Sequence, residues 1–321
     1  MRQKKNNMLK KSKIYISGHK GLVGSAILKS LKEKGYTNLI TKEHQELDLT
    51  DQAAVENFFK KFKPEYIFLA AAKVGGILAN KEKPAEFIYD NLMIEANIIN
   101  NAYKYKVKKL LFLGSSCIYP RLSPQPIKEE YLLTSPLEKT NEAYAIAKIA
   151  GLKLCEFYNQ QYGTNYISAM PTNLYGPNDN FDLNSSHVLP ALIRKFHEAK
   201  LKGDKSVVLW GSGRPKREFL HVTDLAEALT FLMNKYNRQG MVNIGCGEDL
   251  SIKDLAHKVK KITGYDGKII WDKNRPDGTP RKLLDITKIK QLGWRPKISL
   301  DKGILDTYQW FVENYKQRRV S

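Results

Sequence analysis

Cysteine is scarce in this sequence, and the little there is stands apart. Cys117, Cys155 and Cys246 are odd in number, widely separated and outside any C-x-x-C spacing, which excludes a disulfide framework and gives no zinc pattern. No metal is expected. Long hydrophobic runs are missing too: no stretch of about 18 uninterrupted apolar residues occurs, so no membrane-spanning helix and no membrane partner are expected. The basic N-terminus, MRQKKNNMLKKSK, lacks the apolar stretch and small-residue cleavage site of a signal peptide, and residues 1–12 read as a solvated basic tail. A reducing, cytoplasmic setting follows. Arginine is rare as well, only 11 of 53 basic residues. The formal charge of +20 therefore rests on lysines spread along the chain, a solvated surface rather than a reader of bases, and no nucleic-acid partner is expected. Part of that charge is free to steer anionic ligands toward a cleft. Repeats and low-complexity segments are absent.

What is present is enough to build a large core: 321 residues, 42% hydrophobic and 27% charged, suited to one large α/β unit or two unequal lobes. Lys13–Ser17 reads as a strand and Leu22–Lys34 as a helix closed by Gly35. A strand at Asn38–Thr41, a helix at Asp51–Phe62 started by Thr50, and a buried strand at Tyr66–Ala72 follow. Helices at Phe87–Tyr105 and Asn141–Tyr162, the latter ended by Gly163, flank a strand at Lys109–Ser115, and Tyr166–Met170 is again a strand. Repeated β-α-β with apolar strands predicts a Rossmann-like, doubly wound parallel sheet covered by helices on both faces. After Pro171 the chain loosens into PTNLYGPNDNFDLNSS, loop chemistry of a length that is more often functional than idle. Beyond it lie a helix near Val188–Leu201, a strand at Val207–Trp210, a helix from Asp224, a strand at Met241–Ile244 and mixed elements. This predicts a smaller C-terminal α/β lobe. Residues 13–172, with part of 215–245, are assigned to the nucleotide-binding domain, and 173–214 with 246–321 to a substrate domain.

Gly18, Gly21 and Gly24 form G-x-x-G-x-x-G between the first strand and the first helix. Glycines there let the backbone approach a pyrophosphate, while the helix N-terminus offers free N–H groups and a positive dipole. A tight turn with close helix packing is the plainer reading, but the strand-turn-helix context favours a dinucleotide. Lys20 in the turn, with Lys42 and His44 after the second strand, favours a 2′-phosphate and hence NADP(H), while Glu43 keeps NAD open. Asp48 and Leu49 are placed at the adenine.

Tyr144 and Lys148 are four apart in NEAYAIAK and so share a helix face. An ammonium beside the phenol is expected to lower its pKa and make Tyr144 a general acid. The same lysine can hold the cofactor ribose, and Ser115, at a strand's C-terminal end, can hydrogen-bond a reacting carbonyl. Each alone is common. Together with the glycine turn they predict hydride transfer to a ketone, or its reverse.

With their surroundings these residues resemble the extended short-chain dehydrogenase/reductases that act on nucleotide sugars. GHKGLVGSAI, AAAKVGGILAN, FLGSSCIYP, NEAYAIAKIAG, MPTNLYGPNDNF, WGSGRPKREFLHV and PDGTPRKLLD are most similar to the GDP-L-fucose synthase family, the GDP-4-keto-6-deoxy-D-mannose 3,5-epimerase-4-reductases, from about residue 13 to 315. The resemblance implies NADPH as cofactor, Cys117 and His187 as the acid and base of epimerisation, and reduction at C4 by the Ser115–Tyr144–Lys148 set. On residue type alone, Cys117 is equally a small buried thiol, and His187 a surface or helix-capping residue. For the cofactor it implies His19, Leu22 and Val23 in the turn, then Leu113, Gly114, Ser115 and Ser116, then Pro171, Thr172, Asn173 and Leu174, with Lys148 and His187. For the GDP-sugar it implies Lys195, Trp210, Arg217 and Asp277, whose plainer readings are a solvated lysine, a core tryptophan, a surface arginine and a turn former. Lys20 and His44 stand where relatives often carry arginines, and Lys195 also replaces an arginine, leaving charge without bidentate geometry. The resemblance also implies a homodimer through the helices near 87–105 and 141–162. Alternatives are the same chemistry on a related GDP-4-keto-6-deoxy sugar such as a heptose, and a non-catalytic NADP-binding sensor.

Overall fold

The structure is a computed structural model and describes residues 7–238, 240–275 and 277–318. β1 (Ile14–Ser17) is wholly buried, and α1 (Leu22–Glu33) turns Ile27 and Leu31 inward. Gly35 ends that helical segment with a left-handed backbone, a conformation that costs glycine little. Next come β2 (Leu39–Ile40), α2 (Gln52–Phe62), β3 (Tyr66–Leu69), α3 (Ile77–Glu82), α4 (Pro84–Lys104) and β4 (Lys109–Leu113). α2 starts from Asp51, whose carboxylate accepts from the Ala53 and Ala54 amides. Thr50, expected in that role, gives its own amide and hydroxyl to Asp48 instead. α5 (Glu142–Tyr162) ends at a left-handed Gly163 and leads into β5 (Tyr166–Pro171) and β6 (Asn173–Tyr175).

The remaining chain forms α6 (Val188–Lys202), β7 (Ser206–Trp210), β8 (Lys216–His221), α7 (Val222–Lys235), β9 (Met241–Ile244), β10 (Asp249–Ser251), α8 (Ile252–Thr263), β11 (Lys268–Asp272), β12 (Arg281–Lys282), α9 (Thr287–Gln291) and α10 (Leu300–Arg318). β8 was not foreseen, because its sequence KREFLH opens on charged residues. It is nonetheless a hub, pairing in parallel with β6 and β12 and antiparallel with β10.

Six strands make one parallel sheet in the order β2-β1-β3-β4-β5-β9, the expected Rossmann-like sheet. Its winding reverses between β1 and β3, and ligands bind at the carboxyl ends of strands beside such a switch point. One apolar cluster surrounds this sheet, including Ile16, Phe68, Leu111, Phe112 and Ile167. A second, including Phe181, Leu192, Phe196, Leu255 and Phe311, lies in the smaller α/β lobe.

Two features tie the large core's outer edge. Lys109, fully buried, donates to the carbonyls of Leu232, Met233 and Tyr236 at the end of α7, where a cation also complements the helix dipole. Met8 is only 5% exposed and its amide donates to Asn234. Within the expected solvated tail Met8 and Ser12 are buried, Met8 because its apolar side chain finds the core, while Leu9, Lys10 and Lys11 stay exposed; residues 1–6 lie outside the described residues.

Candidate active site

The phosphate turn follows β1 at the switch point. Gly18 has φ +72°, and a Cβ on it would stand 2.9 Å from Ala71 Cα, on the segment after β3. Gly24 packs still closer: a Cβ there would meet the Gly18 carbonyl oxygen at 2.1 Å. The Gly21 amide donates to that same oxygen. The turn is therefore folded onto itself, with Leu22 and Val23 opening α1 and its free amides facing outward. His19 Nδ1 is buried there without a hydrogen-bond partner. Such a cradle suits a pyrophosphate.

After β2 the charges pair among themselves. Lys20 Nζ lies 2.6 Å from Glu43 and Lys42 is 2.6 Å from Glu46. The carboxylate that kept NAD open is thus engaged by a lysine of the phosphate turn. His44 is 81% exposed, 4.0 Å from Asp48. Asp48, accepting two hydrogen bonds from Thr50, is held below the usual carboxylate range, and Leu49 is buried in the core, its carbonyl accepting from Asn97. The remaining cofactor candidates also follow strand ends. Leu113 closes β4, and Gly114 donates to Ala169, with the Met170 thioether packed where a Cβ would stand. Ser116 is buried. Pro171 closes β5, while Thr172 and Asn173 donate to the Glu218 carbonyl and Leu174 continues β6.

Between the two lobes lies a cleft of about 400 Å³. It brings together Ser115, Cys117, Tyr144, His187, Lys195, Trp210, Arg217 and Asp277, residues that span about half of the chain. Ser115 Oγ accepts from the Cys117 amide at 3.2 Å, starting a short 3₁₀ turn that points the thiol into the cleft mouth. The Ser115 side chain also stands next to the Tyr144 phenol. Burial pushes the Tyr144 phenol well above its ordinary range, the neighbouring Cys117 and Glu95 adding to the rise while Ser115 opposes it. This reverses the expectation that Lys148 lowers it. Lys148 Nζ is 5.8 Å from the Tyr144 ring centre but 3.1 Å from Glu95, with the two side chains 2% and 1% exposed. Its ammonium also donates to the Leu113 carbonyl.

Glu95 was not anticipated. Burial pushes its carboxyl up and Lys148 works against that. Gly151 on α5 makes room for it, since a Cβ there would lie 2.4 Å from Glu95 Oε2. The sequence signal was a carboxylate set among apolar residues of NLMIEANII. Lys282 was also missed; it lines the cleft, its Nζ 3.7 Å from Cys117 Sγ.

His187 precedes α6 with its side chain exposed to the cleft, and the surrounding protein lowers its imidazolium pKa by partial desolvation, with the Lys282 charge adding to the effect. Its side chain makes no cap hydrogen bond to α6. On the sugar-nucleotide side, Lys195 donates to the Val208 carbonyl, 5.8 Å from the Trp210 ring centre, and burial lowers its pKa. Trp210 is not core: it is 54% exposed, with Arg275 4.9 Å over its ring. Arg217 donates to the Lys216 carbonyl and is largely desolvated. Asp277 accepts from the amide and hydroxyl of Ser212, which hold it below the usual range. Cys155 is buried in the core and Cys246 is half-buried away from the cleft lining.

Comparison with known proteins places this geometry. The pattern of the NAD dependent epimerase/dehydratase family matches residues 14–245. The chain belongs to that family. Its similarity to "GDP-L-fucose synthase 1" of Arabidopsis thaliana is 59% identity, covering 96% of each chain. Among solved structures it is similar to a GDP-6-OMe-4-keto-L-xylo-heptose reductase from C. jejuni, with TM-score 0.91 and 43% identity over 98% of this chain and all of that one. A GDP-L-fucose synthetase from Naegleria fowleri bound to NADP gives TM-score 0.91 and 31% identity over 98% of both chains. The family span contains the phosphate turn, the Ser115–Tyr144–Lys148 set, Cys117 and His187. Asp277 and Lys282 lie beyond it, supplied by the C-terminal part of the smaller lobe.

Proposed function

We propose that this chain converts GDP-4-keto-6-deoxy-D-mannose to GDP-L-fucose in two steps, 3,5-epimerisation and then NADPH-dependent reduction of the 4-ketone. The observation that carries the reading is the single cleft, which holds a thiol, an imidazole and a Ser–Tyr pair beside two cations and an indole suited to a nucleotide diphosphate. A ketone at C4 acidifies the protons on C3 and C5, so Cys117 and His187 on the cleft wall serve as base and acid. Ser115 and Tyr144 hydrogen-bond O4, steadying the enolate first and the alkoxide later. The glycine turn, the strand ends and Lys148 would hold NADP(H), which when bound would supply the hydride to C4. Tyr144 then gives O4 its proton. Lys195 and Arg217 pair with the diphosphate, Trp210 lines the nucleotide side and Asp277 closes the far wall. In this reading residues 13–172, with part of 215–245, hold the cofactor, and 173–214 with 246–321 hold the sugar nucleotide.

A second reading, the same chemistry on a GDP-linked 4-keto heptose, is motivated by the C. jejuni reductase. The higher identity to the plant synthase favours fucose. A silent NADP sensor is disfavoured because the Ser–Tyr–Lys set is assembled. The test is incubation with GDP-4-keto-6-deoxy-D-mannose and NADPH in deuterated water. Deuterium at C3 and C5 with NADPH consumption supports both steps; reduction without exchange removes the epimerase role, and no consumption removes the reductase.

A homodimer through α4 and α5 is part of the proposal. These helices pack side by side and leave Tyr89, Tyr103, Ile146, Phe157 and Tyr162 exposed. A cytoplasmic location fits three free cysteines; among the described residues no helix is long and apolar enough to cross a membrane.

A further inference from the structure

Glu43 stands where β2 delivers the chain beside the phosphate turn. β1 and β2 run parallel, Ile14 paired with Leu39 and Tyr15 with Ile40, so the third residue beyond that last pair is Gly18 at the exit of one strand and Glu43 at the exit of the other. The Glu43 backbone is pinned, its amide donating to Glu46 Oε2 and its carbonyl accepting from the Glu46 and Leu47 amides. Only the carboxylate is left free to face the turn, 44% exposed and with one oxygen 2.6 Å from Lys20 Nζ. Glu43 also lies 19 residues after Gly24, close to the distance at which dinucleotide folds place the acid that accepts a hydrogen bond from the adenine ribose 2′-hydroxyl. A 2′-phosphate needs the opposite, free positive charge in the same corner. Neither the turn nor the segment after β2 offers a free lysine. Lys20 is engaged by Glu43 and Lys42 by Glu46, and Asp48 is a third carboxylate, 4.0 Å from His44.

We propose that Glu43 determines cofactor choice and that this chain takes NADH as well as NADPH. The inference rests on the reductase reading above. With NADH, the second carboxylate oxygen of Glu43 accepts from the 2′-hydroxyl while Lys20 keeps the first, and the ion pair need not break. With NADPH, a phosphate carrying about −1.5 to −2 charges comes to stand beside a carboxylate, and Lys20 has to leave Glu43 to reach it. Glu43 therefore favours the hydroxyl by attraction, and it disfavours the phosphate both by repulsion and by withholding the lysine. The ketone gains a hydride at C4 and the Tyr144 proton at O4 with either dinucleotide, which is oxidised by two electrons; the 2′ substituent takes no part.

The test is fluorescence titration of the wild type, Glu43→Gln and Lys20→Gln with NADPH and with NADH, circular dichroism showing that each variant is folded. Oxidation of both dinucleotides by the wild type with GDP-4-keto-6-deoxy-D-mannose is the second readout. The wild type should bind the two within about thirtyfold of each other and oxidise both. Glu43→Gln should tighten NADPH about fivefold and weaken NADH about threefold, so the affinity ratio moves about fifteenfold toward NADPH. Lys20→Gln should move it the other way, weakening NADPH about fivefold and sparing NADH. A wild type that prefers NADPH beyond that thirtyfold range overturns the proposal, as does a folded Glu43→Gln in which the ratio is unmoved, whether both affinities hold or both fall together. A wild type that binds both dinucleotides but oxidises neither sinks instead the reductase reading, and the affinity ratio still decides the role of Glu43.

Discussion

In the proposed reduction Tyr144 releases a proton only when negative charge develops on O4, and its surroundings suit that timing. Burial and the adjacent Cys117 and Glu95 keep the phenol protonated through neutral pH, so the resting enzyme holds a loaded acid. Lys148 is more firmly tied to Glu95 than to Tyr144 and also donates to the Leu113 carbonyl; in the proposed function it holds the cofactor ribose. Tyr144→Phe should accordingly remove at least about two orders of magnitude of 4-keto reduction, the usual worth of a general acid, while deuterium exchange at C3 and C5 continues. Single-turnover NADPH oxidation and NMR of the sugar separate the two. Exchange lost together with reduction would mean that the phenol is indispensable to the enolate as well as to the alkoxide. Glu95→Gln gives the complementary result. It keeps the shape against Gly151 but leaves Lys148 as an unpaired buried cation, a change that costs about 3–5 kcal/mol when one partner of a buried pair is removed. Chemical denaturation should show a loss of that size, and a loss under about 1 kcal/mol would show that the pair is not held together in solution.

Elements turn these residues toward one another, and the glycine turn illustrates how tightly. A methyl group on Gly24 would collide with the Gly18 carbonyl oxygen, forcing α1 away from β1. Gly24→Ala should weaken NADPH binding by tenfold or more and cost about 1–3 kcal/mol by overpacking, as fluorescence titration and thermal melting would report; unchanged affinity would dissociate the turn from the cofactor. The loop before α6 makes a different prediction. Asp179 is buried, one carboxylate oxygen accepting from the Asn180 amide and the other without a partner, and burial raises its pKa to about 7. Folded protein then binds a proton that the unfolded chain releases near pH 4. Stability on this account is fully present below pH 4 and is lost as pH rises to about 7, up to about 4 kcal/mol. Asp179→Asn should lack that slope, so its melting temperature should gain on the wild type from pH 5 to 8. Parallel pH profiles for the two proteins would show that the carboxylate is ionised throughout.

Sequence made the local half of this legible. The glycine turn, Y-x-x-x-K and the alternating apolar segments are short-range patterns, and each takes the form its spacing requires. Glu95, Lys282 and β8 escaped notice because their meaning lies in partners far along the chain. Lys282 meets Cys117 across 165 residues, Glu95 meets a lysine on the next helix, and β8 is a strand chiefly because β6, β10 and β12 pair with it. The sign of the Tyr144 shift was likewise illegible, since spacing reveals a neighbouring lysine but not the buried carboxylate that holds it.

At the scale of the whole molecule, α4 and α5 join the site to the outer surface. Their inner faces carry Glu95 and Lys148, and their outer faces carry Tyr103 stacked on Tyr162 with ring centres 4.1 Å apart, with Phe157 and Tyr89 also exposed along the same two helices. Exposed aromatic side chains on paired helices are a feature expected of an interface rather than of a solvated helix pair. Two copies meeting there would form an isologous interface and would brace both members of the Glu95–Lys148 pair from behind. The double variant Tyr103→Glu with Phe157→Glu places like charges across such a symmetric contact, where they repel, and touches neither the cleft nor the glycine turn. Sedimentation velocity at micromolar concentration should show the wild type as a dimer and the variant as a monomer. The monomer should melt several degrees lower, as a loss of about 1–2 kcal/mol predicts for a chain of this size, and should bind NADPH less tightly because Lys148 is less firmly held. A wild type that sediments as a monomer removes the interface outright; a monomeric variant with undiminished NADPH affinity confines it to assembly and leaves Lys148 positioned by Glu95 alone.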